Sequence, residues 1–299
     1  MLKGGNIIKI TIFTPTYNRA HTLVKCYESL LNQTSNKFIW IIVDDGSTDE
    51  TQRLVDRWIS DNLIRIRYHR QPNQGKHIAF NSGVEMSNTD LFLCLDSDDF
   101  LSHNAVECLL EFWPEKSNKE FAGIIACKAD SKGQVIGTTL PSNIVTCTVY
   151  DLYNRLGVQG DKLMVFKTEI IKNYPFPKIN GEKFITEGYL YDQLDSKYKW
   201  LLLNEIIYYG DYLLDGYTAN DKKLLIKNPK GFSLYFRNRM KISHSFIERY
   251  KNAVRYVNCC WIAGSHEYIK QSPRKVLTVA AVPAAIILYF SKYNNLRRK

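Results

Sequence analysis

Leu91-Phe92-Leu93-Cys94-Leu95-Asp96-Ser97-Asp98-Asp99 is the stretch from which the rest of the chain can be read. The five apolar residues predict a buried strand, and three carboxylates follow directly from its end. Two unit charges about 4 Å apart repel by roughly 4 kcal/mol at the effective dielectric of a protein surface, so this cluster calls for a counter-charge. Oxygen-only ligands favour Mg2+ or Mn2+ over softer metals. Mg2+ typically takes one or two protein carboxylates and completes its shell with water and substrate phosphates. The plainer alternative is a solvated acidic turn that leads into a helix starting near Ser102.

Outward from this strand, apolar β-type runs alternate with helical patterns, which predicts an α/β fold with a mostly parallel central sheet flanked by helices. Strands are expected at Ile7–Phe13, Phe38–Val43, Leu63–Tyr68, Leu91–Leu95 and Phe121–Cys127. Leu23, Cys26, Tyr27, Leu30 and Leu31 form one helical stripe. Leu54, Val55, Trp58 and Ile59 form another, behind a Ser47-x-x-Glu50 capping box. In such sheets ligands bind beyond the carboxyl ends of the strands. Thr14-Pro15-Thr16-Tyr17-Asn18-Arg19, Asp44-Asp45-Gly46-Ser47-Thr48-Asp49 and the aspartate cluster all fall at such ends, with Asn73-Gln74-Gly75-Lys76 between the last two.

Further strands are expected at Gln134–Thr139, Lys162–Phe166 and Trp200–Tyr208, and the pattern turns helical from Asn228, notably over Phe246–Ile262. No clean linker interrupts the first part. Two domains are therefore expected, residues 1–215 and a basic helical C-terminal extension, 216–299.

The seven cysteines include no C-x-x-C pair, and the first residues lack the apolar core of a signal peptide, which reads as a reduced cytoplasmic protein. Residues 1–150 carry 15 basic and 17 acidic side chains, whereas 151–299 carry 25 and 13. From Lys222 onward 17 Lys or Arg face only Glu248 and Glu267, so this region should seek an anionic partner.

Taken in order and spacing, Thr14-Pro15-Thr16-Tyr17-Asn18-Arg19, Val43-Asp44-Asp45-Gly46-Ser47-Thr48-Asp49, Gly75-Lys76 with Ala79 and Asn81, and Asp96-Ser97-Asp98-Asp99 resemble the family 2 glycosyltransferases over roughly residues 7–215. The resemblance implies a GT-A fold, a nucleotide-sugar donor, a divalent metal and inversion at the anomeric carbon. It further implies that Thr14, Pro15, Tyr17 and Arg19 line a nucleotide pocket, that Asp45 accepts from the base, and that Lys76 lies near base or phosphates. Asp96 would take the ribose hydroxyls and Asp98 the metal, with Asp99 in support.

An acidic residue in a later loop would deprotonate the acceptor hydroxyl. Glu187, just before an expected helix, is the first choice, with Glu182 and Asp192 behind it. The implied acceptor is a glycan or a lipid-linked precursor. Processive relatives carry Q-x-x-R-W, but here Gln193 is followed by Leu194-Asp195-Ser196, which favours transfer of one sugar.

Val276 to Phe290 is uncharged and flanked by Arg274-Lys275, Lys292 and Arg297-Arg298-Lys299. At about 22 Å as a helix it is short for a roughly 30 Å hydrocarbon core, and Pro283 should kink it. An interfacial helix, a re-entrant hairpin or a helix packed on the domain remain open, the first giving peripheral attachment to the anionic inner face of a cell membrane. Nucleic acid is disfavoured, because no RNA- or DNA-binding motif accompanies the basic residues. Three rivals stand. A sugar-nucleotide pyrophosphorylase would need a Gly-rich loop after the first strand. A D-x-D-x-T phosphatase would need threonine in place of Phe100. The third is a non-catalytic carbohydrate- or nucleotide-binding module.

Overall fold

The structure is a computed structural model that describes residues 8–113, 120–212 and 221–293. Ile7, the expected boundary at 215/216, and Arg297, Arg298 and Lys299 lie outside the described residues. The chain divides into two compact units. The first runs to Phe176 and takes up Lys197–Tyr212, and the second comprises Pro177–Ser196 with the C-terminal helices.

The first unit holds a mixed sheet of β1 (Ile10–Thr16), β2 (Phe38–Asp44), β3 (Ile66–Arg70), β4 (Leu91–Cys94), β5 (Phe100–Leu101), β6 (Phe121–Ala129), β7 (Thr146–Cys147), β8 (Lys162–Lys167) and β9 (Lys199–Tyr209). The order is β3-β2-β1-β4-β8-β6-β9-β5, with β7 also pairing β9. β3, β2, β1 and β4 are parallel to one another, as are β6 and β9, while β5, β7 and β8 run antiparallel to their neighbours.

Helices α1 (Ala20–Leu31), α2 (Thr51–Asp61), α3 (Lys76–Met86), α4 (Ala105–Phe112), α5 (Val149–Asn154) and α6 (Thr168–Ile171) belong to the same unit. Ile10, Ile12, Trp40 and Ile42 join one core with Leu23, Cys26, Tyr27 and Leu30 of α1 and Val55 and Trp58 of α2. The Tyr27 and Trp58 rings stack with centroids 4.2 Å apart. On the other face Phe13 stacks on Phe92 at 5.4 Å and meets Phe80 of α3 edge-on. Burial on both faces explains why the central strands read as continuous apolar runs.

Three local expectations are corrected. Gln134–Thr139 is not a strand: Val135 forms one isolated bridge to Ala129, and Gly137 turns the chain at φ +74°. The Ser47/Glu50 capping box does not form, because Ser47 Oγ accepts from Asn18 N instead, while Asp49 Oδ1 takes the Thr51 N–H at the start of α2. The helix expected near Ser102 begins at Ala105, after the short β5.

The second unit contains α7 (Gly188–Asp195), α8 (Asp221–Lys227), α9 (Pro229–Ile242), α10 (Phe246–Ile262), α11 (Tyr268–Gln271) and α12 (Lys275–Leu288), the last continuing into a π-helical turn, Tyr289–Tyr293. Its core is built from Phe236 and Met240 of α9, Ala253, Val254, Val257 and Cys260 of α10, and Ala281 and Ala285 of α12. α12 runs on through Pro283 as a single helix. All seven cysteines are free thiols.

Candidate active site

The parallel register brings the ends of β2, β1 and β4 side by side, and the loops that follow them are tied together by side chains. Asn18, at φ 52°, accepts the Thr48 N–H on Oδ1 at 2.7 Å and gives its own N–H to Ser47 Oγ at 2.9 Å. Asp44 is fully buried and accepts from Ser47 N at 2.7 Å and from the Tyr68 hydroxyl at 2.6 Å.

Asp45 organises the next loop. Its Oδ1 accepts from Gln71 Nε2 at 2.8 Å and Gln74 N at 2.9 Å, and its Oδ2 accepts from Gly75 N at 2.7 Å. Among the described residues these three donors, on a carboxylate with about four lone-pair sites, leave one position, on Oδ2. Gly75 has φ +96°, a conformation that favours glycine, and it places Lys76 at the first position of α3.

Lys76 Nζ then reaches Asp96 Oδ1 at 2.7 Å, with the Asp96 side chain 37% exposed. Burial alone would raise the Asp96 carboxyl, but the ammonium groups of Lys76 and Lys128 hold it below the ordinary carboxylate value. Asp99 has the opposite balance. It is buried, its Oδ2 accepts from Lys128 Nζ at 2.9 Å and from the Tyr208 hydroxyl at 2.7 Å, and burial still pushes its carboxyl up to about 6.

The Tyr208 hydroxyl also accepts the Asp96 N–H at 3.1 Å, while the Cys26 thiol donates to the Asp96 and Asp99 carbonyls at 3.3 and 3.2 Å. Gly210 lies against the Asp99 carboxylate with no room for a Cβ. Strands β6 and β9 and helix α1 thus fix the aspartate loop from below. Lysines supply the counter-charge for two of its three carboxylates.

Asp98 is the third. Burial and the neighbouring Asp96 raise its carboxyl, with Arg19 and Lys76 pulling the other way. Among the described residues no three His, Cys, Asp or Glu side chains form a ready metal cage. A half-buried carboxylate whose charged form is disfavoured by burial and by Asp96 does fit a hard divalent cation that draws its remaining ligands from water and a diphosphate.

Tyr17 is exposed, and Pro15 and Arg19 are half-buried beside it at the end of β1. Thr14 faces inward: it is fully buried and its hydroxyl accepts from Trp40 Nε1 at 2.9 Å, so it braces the strand end and does not line a surface pocket. Sequence reasoning missed Lys128, Tyr208 and Cys26. The strand-end rule applied to β6 singles out Lys128, but Tyr208 and Cys26 read as ordinary core residues.

The three acidic candidates of the second unit have separate environments. Glu182 accepts the N–H groups of Lys230 and Gly231 at 2.9 and 2.8 Å, which caps the exposed donors of the first turn of α9. Asp192 is buried and pairs with Arg239 at 3.0 Å. Glu187 is exposed at the start of α7, with Oε2 accepting from the Tyr191 hydroxyl at 3.0 Å.

Comparison with known proteins gives a consistent picture. The family model described as glycosyl transferase family 2 matches residues 11–162. An uncharacterized glycosyltransferase of Rickettsia bellii is 32% identical over 150 residues, which is 47% of this chain and 21% of the relative. Chondroitin synthase of Escherichia coli is 42% identical over 104 residues, covering 34% of this chain and 15% of the synthase. The chain therefore spans a minor part of the length of the curated relatives it matches.

Among solved structures, residues 1–349 of S. aureus TarS in complex with UDP-GlcNAc superpose with a TM-score of 0.63 at 15% identity, over 93% of this chain and 80% of that one. The mannosyltransferase PcManGT of Pyrobaculum calidifontis, in complex with GDP-Man and Mn2+, gives 0.56 at 14% identity, over 93% and 87%. These likenesses bear out the GT-A fold. With residues 11–162 of 299 matched by the family model, the chain belongs to glycosyltransferase family 2.

Proposed function

We propose that this chain transfers a single sugar, with inversion, from a nucleoside diphosphate sugar to an acceptor hydroxyl, UDP being the favoured nucleotide and a glycan or lipid-linked precursor the acceptor. The observation that carries the reading is the division of labour in the aspartate loop, where Lys76 and Lys128 pair with Asp96 and Asp99 while burial and Asp96 raise the carboxyl of Asp98. Asp98 would hold Mg2+ or Mn2+ together with the diphosphate. A bound cation there supplies positive charge to the leaving group as the sugar–phosphate bond breaks.

The other residues act directly on the substrates. The remaining lone pair of Asp45 suits the imide N–H of a uracil, Pro15 and Tyr17 offer surfaces to the nucleotide, and Arg19 and Lys76 bring positive charge toward the phosphates. Asp96 takes the ribose hydroxyls. Glu187 receives the acceptor proton as the acceptor oxygen bonds to the anomeric carbon and the electron pair of the broken bond leaves with the diphosphate. It is preferred because it is exposed just before α7, whereas Asp192 is buried against Arg239 and Glu182 accepts from the first turn of α9.

Calorimetric titration of the chain with UDP, GDP and their common sugars, with and without Mn2+, tests the donor site. Metal-dependent binding of one nucleotide, weakened in Asp98→Ala, is expected. No binding of any nucleotide would overturn the reading and favour a non-transferase role.

A further inference from the structure

Helix α12 carries its polarity inside out. From Val276 to Leu288 its one polar side chain, Thr278, is fully buried, with its hydroxyl 2.6 Å from Ser272 Oγ. Thr278, Ala281 and Ala285 form the buried stripe, small enough to let α12 pack closely on α10. The opposite stripe, Val276, Val279, Ala280, Pro283, Ile286 and Ile287, is exposed and continues to Phe290. Val276 is 86% and Ile287 71% exposed. A helix that faces water carries charged or polar residues on that side, and this one carries none.

The surroundings indicate what covers it. The Tyr250 hydroxyl donates to the Ala280 carbonyl and the Trp261 ring meets the Tyr289 ring, so α10 and α12 run side by side in the same direction. Phe246 and Ile247, one turn before Tyr250, therefore lie at the same end as Val276, and both are exposed. The apolar stripe is bracketed by Arg274-Lys275 and Lys292, within a segment whose 17 basic residues face two acidic ones. Two copies paired through this face would bring like charges together, whereas an anionic lipid surface neutralises them.

Orientation follows from α10. If α12 spanned a bilayer, the adjacent α10 would carry Glu248, Arg249, Lys251 and Arg255 toward the hydrocarbon, where charged side chains are strongly disfavoured. We propose that the outward face of α12, together with the Phe246–Ile247 end of α10, seats in the plane of an anionic lipid bilayer at the headgroup boundary. This surface is independent of the transfer reaction.

Vesicle flotation of the full chain tests it, using phosphatidylcholine alone and phosphatidylcholine with roughly a third phosphatidylglycerol. The bound fraction should be at least about tenfold higher on the anionic vesicles and should fall at high salt. The pair Val279→Glu and Ile287→Glu should abolish it while leaving the thermal midpoint unchanged, since both positions are exposed. Equal binding by wild type and the pair would reduce the effect to general basic attraction and overturn the proposal. So would a wild-type dimer that the pair dissociates with no lipid binding by either.

Discussion

Lys128 Nζ and the Tyr208 hydroxyl converge on one oxygen, Asp99 Oδ2, from 2.9 and 2.7 Å, and so β6 and β9 together hold the loop that carries Asp98. Removing one partner of a buried pair leaves the other charge uncompensated, which typically costs about 3–5 kcal/mol. Lys128→Met keeps the aliphatic stem and removes the ammonium. It should lower the unfolding midpoint and weaken nucleotide binding by about tenfold or more, and adding Asp99→Asn should restore part of the stability. Unchanged denaturation and binding in Lys128→Met would remove Asp99 as an anchor.

The same pair predicts a pH dependence. Burial pushes the Asp99 carboxyl up to about 6 and Lys128 opposes it. Asp99 is ionised, and its pair with Lys128 intact, only above that pH. Nucleotide affinity should therefore fall as pH drops through about 6. Lys128→Met removes the opposing charge, so its acidic limb should move to higher pH. A limb that stays in place in the variant would assign the titration to another group.

What was legible in the sequence was what burial writes into it. Phe38–Val43 and Leu91–Leu95 are unbroken apolar runs because helices cover both faces of the central strands, and the carboxylates had to follow at their ends. β5 and β7, at two residues each, are too short to form a pattern. Gln134–Thr139 has strand-like composition, but Gly137 packs against the Gln159–Gly160 backbone and the chain turns away. The sequence also showed that three aspartates need counter-charge without showing that the chain supplies two lysines of its own. Lys128 is 29 residues from Asp99, and only the pairing of β6 with β9 puts Lys128 and Tyr208 beside the same carboxylate.

Asp96 and Asp99 are tied to Lys76 and Lys128, whereas burial and Asp96 disfavour the charged form of Asp98, so removal of Asp98 should be felt in turnover more than in folding. Asp98→Ala should reduce turnover by about a thousandfold, the scale of losing a main electrostatic stabiliser, with an unfolding midpoint close to wild type. Steady-state kinetics with Mn2+ varied would check it. A near-wild-type rate would sink the metal assignment.

The acidic candidates of the second unit can be separated by what each substitution damages. Glu187→Gln should lower kcat by about a hundredfold or more and leave nucleotide affinity intact, as expected for a lost general base. Glu182→Gln removes charge from the first turn of α9, where it accepts from Lys230 and Gly231, and should cost about 1 kcal/mol of stability with activity retained. A large kcat loss in Glu182→Gln alone would move the base to that residue.

Asp192 makes the sharpest stability prediction. Burial pushes its carboxyl up to about 7 against the pull of Arg239, and Oδ2 is buried without a hydrogen-bond partner. In the unfolded chain the same group titrates near about 3.9. Between those values the folded chain keeps a proton that the unfolded chain has released. Its contribution to stability is therefore fully present below about pH 4 and is lost as pH rises through about 7. Three pH units set an upper bound of about 4 kcal/mol on the loss. Asp192→Asn keeps the shape and cannot ionise, so the variant should match wild type near or below about pH 4 in denaturant titrations and exceed it increasingly up to about pH 8. A variant several kcal/mol weaker than wild type at pH 8 would mean that the ion pair with Arg239 outweighs the burial of the carboxylate, and the raised titration would have to be abandoned.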